Sequence, residues 1–356
     1  MELILLDKNF GLLGMPIDDF TSLQWKRRWK EGGGFELHLS KEYFATASAA
    51  RYLYQNEDEE TMAIVSAEYE EKRGEVTLGG KPLNILFDDV VIPKTEVIRG
   101  NLETEARRIV KKYAIDGTQK IDKLCLGAAQ GYSETVDTQM TGISLYEALY
   151  TLLAEENLTW RLSYDYTQDA LIFDIVKGKD RTQNQNENAW AVFSTSRENI
   201  LNMEYQRSEE DYKNYAFVAG EGEGQARTVV EVDRSNGETK KAIYIDARDL
   251  QKEQDESAAQ YRQRLIARGV EKLAKYKKTE SITGEAAADA LPRLGLDYDM
   301  GDKCDFENPE LGISFQSIVT GIDKVYEAGA HSVTPIFGEV QLNLRQIISR
   351  EVSKDK

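Results

Sequence analysis

The sequence predicts a β-rich α+β fold: two β-regions separated by an α+β segment, the second region broken by one long helix. Three observations predict it. Apolar and polar residues alternate through the first ninety or so residues and again after Trp190, the period of a half-buried strand. Two capped stretches between residues 97 and 178 carry apolar side chains at helical spacing instead. A further helical stretch, about Asp255 to Lys278, interrupts the second β-region. This layout hints at a duplicated barrel, and 356 residues suffice for roughly two to three domains with real cores.

The elements follow in chain order. In "SLQWKRRWKEGGGFELHLS", Leu23, Trp25, Arg27 and Trp29 share one face by alternation, as do Phe35, Leu37 and Leu39. The pattern is a hairpin turning at Gly32 to Gly34. "TMAIVSAEYEEKRGEVTLGG" is a second hairpin, with strands near Ala63 to Glu70 and Glu75 to Leu78 and a turn at Arg73-Gly74. Pro93 interrupts the next apolar run and marks a boundary. In "GNLETEARRIVKKYA", Asn101 is the expected N-cap, with acids in the first turn and bases in the last. "SLYEALYTLLAEEN" opens on the Ser144/Glu147 capping-box pattern. Trp160, Leu162 and Tyr164 then alternate, with a return strand at Leu171, Phe173 and Ile175. "KGKDRTQNQNENA" reads as a polar linker or exposed loop. The expected organisation is a barrel-like domain at 1–95, a peripheral α+β domain at 96–189, and a second barrel-like domain at 190–345. A helical insertion falls at about 251–280, and 346–356 is a charged tail.

Composition narrows the function. Forty-five Lys and Arg against 62 Asp and Glu leave a net charge of -17, which repels nucleic acid and anionic membranes. No specific nucleic-acid partner is expected; the charge suits an assembly whose partner is basic. The two cysteines, Cys125 and Cys304, form no C-x-x-C pair, so neither a disulfide framework nor a cysteine zinc site is expected. The only histidines are His38 and His331, which leaves little for a His-centred triad or an H-E-x-x-H site. His331 lies in "EAGAHSV", read as an exposed turn. The N-terminal apolar run is too short for a signal peptide, and no run approaches the length of a membrane span.

Four local patterns invite a functional reading. "FVAGEGEGQARTVV" spaces Gly220, Gly222 and Gly224 as G-x-G-x-G, whereas a dinucleotide fingerprint needs G-x-G-x-x-G opening a helix, and the G-K-[S/T] of a P-loop is absent. The loop offers Glu221 and Glu223 where a phosphate wants positive charge. It reads as the connection of a hairpin, with Phe217–Ala219 antiparallel to Arg227–Val232; a cation held by the two glutamates is the weaker alternative. The following "TVVEVDRSNGETKKAIYIDA" reads as two strands about a type I′ turn at Asn236-Gly237. "WKRRWK" admits nucleic-acid stacking, but the acidic chain favours a strand with tryptophans inward and Lys26, Arg28 and Lys30 outward. Trp25, Arg27, Arg28 and Trp29 are also candidates for an assembly surface, since Trp and Arg are enriched at interface hot spots; Glu221 and Glu223 join that set. Adjacent Asp88 and Asp89 point to opposite faces if they lie on a strand, so they make no glycosidase pair. No catalytic residue, metal ligand or cofactor site is expected.

Three stretches, in order, carry a resemblance: "LQWKRRWKEGGGFELHL", "DYKNYAFVAGEGEGQAR", and Leu296 to Glu339. The last has Gly301-Asp302 before a strand, a long strand ending at Tyr326, a glycine turn and a closing "TPIFGE". Over nearly the full chain the sequence resembles the siphovirus gene-product-37-like tail proteins, relatives of phage tail hubs. The resemblance implies two β-barrel-like hub domains packed around a trimer axis, with α+β domains at the periphery. It implies a non-catalytic virion protein at the tail tip, made in the bacterial host cytoplasm. Such a hub closes the tail tube, docks the distal tail protein and lies near the tape-measure protein. Some relatives carry a C-terminal lysin or host-binding extension; the chain runs only about twenty residues past "FGE", so none is expected. Two alternatives stand beside this reading: a tail-associated cell-wall or glycan hydrolase, and a glycan-binding module.

Overall fold

The computed structural model describes residues 1–30, 32–153, 157–253, 256–287, 290–327 and 329–338. It is mostly β, 45% strand and 18% helix, and divides into two compact units. The first takes Met1–Glu204 and Thr283–Phe337; the second is built on Tyr205–Ile282. The boundaries expected near residues 95 and 190 both fall inside the first unit, and the expected tail at 346–356 lies outside the described residues.

The first unit begins with strands β1 (Leu3–Leu6), β2 (Leu12–Ile17), β3 (Ser22–Arg28) and β4 (Gly34–Ser40). Helix α1 (Phe44–Ala49) follows, then β5 (Tyr52–Gln55), β6 (Glu60–Glu70) and β7 (Glu75–Pro82). The glycine turn joins β3 to β4 as the sequence predicts, with Trp25 opposite Phe35. The second hairpin pairs Tyr69 with Val76. Inward residues Leu23, Trp25, Leu37, Leu39, Leu53 and Leu78 form one core, closed by Ala47 of α1.

The α+β segment comprises β8 (Val91–Ile92), β9 (Glu96–Asn101), α2 (Leu102–Val110), β10 (Leu124–Leu126), β11 (Thr135–Met140), β12 (Ile143–Ser144), α3 (Leu145–Leu153), β13 (Leu158–Asp165) and β14 (Ala170–Lys177). Asn101 caps α2, its side chain accepting from the Thr104 amide at 2.9 Å. The Glu147 amide donates to Ser144 Oγ at 3.1 Å, the capping contact the pattern predicts. Strands β13 and β14 pair antiparallel, Trp160 opposite Ile175. Ile109, Leu149, Trp160 and Phe173 fill a second core beneath both helices. Asp88 follows a 3-10 turn over Leu83–Phe87 and is not on a strand; it and Asp89 are exposed.

The remaining strands are β15 (Val192–Ser194), β16 (Ile200–Ser208), β17 (Tyr215–Ala219), β18 (Val229–Asp233) and β19 (Ala242–Asp246). After helix α4 (Ala258–Leu273) come β20 (Thr279–Ala286), β21 (Lys303–Asn308), β22 (Ile313–Glu327) and β23 (Ala330–Gly338). The main sheet has 13 strands, with the path β16-β20-β23-β22-β3-β4-β7-β6-β5-β1-β2 and a branch through β21 and β15. It curls into a half-barrel. The two β-regions of the sequence are therefore one hydrogen-bonded sheet, joined where β22 runs antiparallel to β3. His331 lies on β23, opposite Tyr326 and stacked on its ring, rather than in a turn.

In the second unit β17 is central, antiparallel to β18 and parallel to β19. The turn at Asn236-Gly237 forms, with both residues at positive φ and the Glu238 amide donating to the Ser235 carbonyl at 2.8 Å. The hairpin predicted around it does not, because β17 lies between β18 and β19. Helix α4 starts after Ser257, whose capping box with Gln260 is complete, and is shorter than the predicted span. Its Tyr261 and Leu265 pack with Val218, Val230, Val232 and Ile245.

Candidate assembly surface

The "WKRRWK" segment turns its aromatic side chains inward. Trp25 is 1% exposed, stacks on Phe35 and donates its indole N–H to Glu60 at 2.7 Å. Trp29 is buried, and its ring occupies the space a Cβ on Gly301 would need, 2.4 Å away. That contact and a φ of +84° explain the glycine of the Gly301-Asp302 motif. Arg27 lies between Glu60 at 3.4 Å and Asp299 at 3.6 Å. Burial lowers its pKa, yet the nearby carboxylates outweigh burial and the net shift is upward. Arg28 pairs with Asp323. Trp25 and Trp29 therefore supply core, not surface, and both arginines are neutralised within the chain.

Acidic residues of the β5–β6 turn fasten the two β-regions together. Lys324 of β22 is buried and reaches both carboxylate oxygens of Asp58 at 2.6 Å. Burial raises the Asp58 pKa, but the Lys324 ammonium more than offsets it and the carboxyl sits below its usual range. Tyr326 donates to Glu57 at 2.6 Å. His38 of β4 lies between Glu75 at 3.0 Å and Glu36 at 3.1 Å; burial lowers its pKa, and these carboxylates bring it above the ordinary histidine value.

The stretch expected to be a polar linker is tied down. Asp302 is buried and accepts from the Lys179 amide at 2.7 Å, Arg181 Nε at 2.5 Å and the Asp299 amide at 3.1 Å. Asp305 accepts from the Gln183 amide at 2.7 Å. Sequence reading missed this anchor; the signal was the Gly-Asp pair itself, which sets an acid at the start of β21.

Glu221 and Glu223 lie in the β17–β18 loop of the second unit. Ala219 pairs with Val229 and Phe217 with Glu231, as the hairpin reading requires. The strand begins at Val229, two residues later than predicted, after one 3-10 turn over Gly224–Ala226. The glutamates point to different tasks. The Glu221 carboxylate accepts from the Lys252 amide at 2.9 Å, while Glu223 is exposed. A Cβ on Gly220 would stand 2.2 Å from the Tyr261 hydroxyl, so this glycine admits α4. No three acid, histidine or cysteine side chains are grouped to hold a metal among the described residues. Nor is any helix there long and apolar enough to cross a membrane.

One exposed apolar patch lies at the β2 end of the main sheet. Strand β2 is terminal, with β1 as its neighbour, and its Met15 is 82% exposed. Leu12, Phe44, Val65 and Tyr69 are exposed too. Gly14 lies against Thr46 of α1, and Phe44 meets Tyr69 at 5.3 Å between ring centres. An apolar terminal strand invites a further strand or surface.

Comparison with known proteins places this architecture. No curated protein matches the chain. A tail protein from Neisseria meningitidis MC58 is similar in fold, with 14% identity, a TM-score of 0.57, and coverage of 95% of this chain and 96% of that one. The 43 kDa tail protein of prophage MuSo2 from Shewanella oneidensis has 13% identity and a TM-score of 0.56 over 95% of this chain and 98% of its own. Prophage tail protein gp18 from Listeria monocytogenes EGD-e has 10% identity and a TM-score of 0.51 over 99% of each. Residues 2–339 match the family described as Siphovirus ReqiPepy6 Gp37-like protein. A match of that extent settles the grouping: the chain belongs to the Siphovirus ReqiPepy6 Gp37-like family of phage tail proteins.

Proposed function

We propose that this tail protein is the hub at the tail tip, a non-catalytic homotrimer that closes the tube, docks the distal tail protein and lies near the tape-measure protein. A hub of this kind requires that the two β-rich regions, roughly 1–95 and 190–345, act as two similar halves in each copy, so that three copies offer six related contacts to a sixfold tube. The observation that carries the reading is the exposed apolar terminal strand β2, with Met15, Leu12 and the Phe44–Tyr69 pair beside it. A closed ring of copies buries such an edge. The charge of -17 favours basic faces on the neighbouring tail proteins.

Light scattering of the purified chain over rising concentration tests this, because a ring held partly by its neighbours associates weakly alone. The expected result is a threefold mass at high concentration that Met15→Glu abolishes, with threefold density at the tail tip in particle images. A chain that stays monomeric, together with density elsewhere on the tail, overturns the hub. Release of soluble fragments from peptidoglycan would overturn the non-catalytic part.

A further inference from the structure

The second unit leaves part of one face of its sheet exposed, with Phe217 and Tyr244 in solvent while Tyr215 and Ala219 on the same side are buried. Alternation sends Ala216, Val218, Val230, Val232 and Ile245 under α4, and the opposite set outward. One row crosses all three strands in register: Glu231 on β18, Phe217 on β17 and Tyr244 on β19. Tyr244 is 59% exposed and Phe217 37%. Phe217 meets Tyr215 edge-on at 5.3 Å between ring centres, and the Arg227 guanidinium lies 5.9 Å from the Tyr244 ring centre; the remainder of both rings faces solvent.

The charges on this face cancel. Arg227 pairs with Asp246, Arg248 with the same carboxylate at 2.7 Å, and Lys240 with Asp233 at 2.9 Å. Glu231 accepts from the Tyr215 hydroxyl. Three cations thus stand among three carboxylates, on a chain of net charge -17. A polyanion such as nucleic acid finds no surplus cation here, and a basic peptide no surplus acid. Arg227 also donates to the Tyr244 hydroxyl at 3.0 Å, which fixes the ring's orientation.

The face is small. Each strand has five residues, so three strands present about 14 by 17 Å, roughly 240 Å². A standard protein interface needs about 800 Å² on each partner. Two neighbouring aromatic rings, a carboxylate beside them and no net charge suit a neutral ring-shaped ligand rich in hydroxyls. Sugar C–H faces carry partial positive charge and stack on the negative face of an aromatic ring. A carboxylate has up to four acceptor sites, so Glu231 retains capacity for a sugar hydroxyl.

We propose that the Glu231–Phe217–Tyr244 row binds a neutral pyranose oligosaccharide, with sugar rings stacked on Tyr244 and Phe217 and a hydroxyl donating to Glu231. The proposal is independent of the hub reading and survives if the chain proves monomeric. Titration calorimetry of the full chain with chitohexaose, cellohexaose and maltohexaose tests it. The expected result is binding of at least one of them, weakened at least roughly tenfold in Tyr244→Ala, about threefold or more in Glu231→Gln, and largely retained in Tyr244→Phe. Circular dichroism of the variants checks that the fold is intact. Absence of binding to all three sugars overturns the proposal. So does binding that Tyr244→Ala leaves unchanged, or selective binding of oligothymidylate at the same row.

Discussion

Two sheets in this protein carry aromatic residues interleaved with charge, and they dispose of them in opposite ways. In the main sheet, "WKRRWK" puts Trp25 and Trp29 inside. In the small sheet, "KAIYIDAR" (Lys241 to Arg248) puts Ile245 under α4 and Tyr244 in solvent. The difference is which face something covers. Alternation says which residues travel together; only the tertiary partner says whether they end inside or out. Charge follows the same division. Acids of the first unit such as half-buried Asp58 and buried Asp302 are matched to cations of the same chain. Those around Tyr244 lie in exposed pairs.

The sharpest way to break the comparison is to truncate one ring from each sheet. Trp25→Ala is expected to cost about 3–5 kcal/mol, and Tyr244→Ala less than about 0.5 kcal/mol, both read from urea unfolding. Comparable costs would mean the small sheet's face is covered. The acids come next. Asp302→Ala strands the half-buried Arg181 and two backbone amides, for a loss of about 3 kcal/mol; Asp246→Ala, beside exposed Arg248 and half-buried Arg227, is expected to cost under about 1 kcal/mol. Two glycines of one loop sharpen the picture further. Gly220→Ala drives a methyl into Tyr261 and Leu265 and is expected to cost about 1–3 kcal/mol. Gly224→Ala meets no atom within 4 Å and carries the cost of its positive φ, about 1 kcal/mol. The smallest effect is on pH. Burial raises the pKa of Glu96, but hydrogen bonds from Lys112, Tyr113 and Arg108 bring it down to about 2. A depressed carboxyl stabilises the fold above its unfolded value of 4.5 and loses that contribution as pH falls toward 2. Carboxyl titration by NMR should place its midpoint near 2, and Glu96→Gln should flatten the acid side of the stability curve.

Much of the local structure was legible in the sequence. The Asn101 cap, the Gly32–Gly34 turn, the β6–β7 hairpin and the long strand ending near Tyr326 each depend on residues close in sequence. Pairing across distance was not legible. The Asn236-Gly237 turn announced a hairpin, yet β17, some twenty residues earlier, took the position between its strands. Parallel contacts such as Phe193 with Phe306 leave no mark on either strand alone. The candidate surface was half legible for the same reason: alternation put Trp25, Arg27 and Trp29 on one face, but the acids that neutralise the arginines come from Glu60, Asp299 and Asp323. Leu12 and Met15 carry no signal of their own in the sequence; it is the sheet order, with β2 at its end, that makes them a candidate surface.

The joint between β3 and β22 also sets a timetable. Arg28 pairs with Gly321, so β3 keeps one edge open until nearly 300 further residues have left the ribosome. At 5–20 residues per second that is roughly 15–60 s. Through that interval β4 can pair with β3 while the other edge, beside Trp25 and Trp29, stays exposed to other nascent chains on the same polysome. Synthesis stopped before β22 is therefore expected to yield aggregates that the full chain does not form, a difference visible by sedimentation. Strand β22 releases β3 from that hazard, and the Lys324–Asp58 bond is the latch that closes behind it.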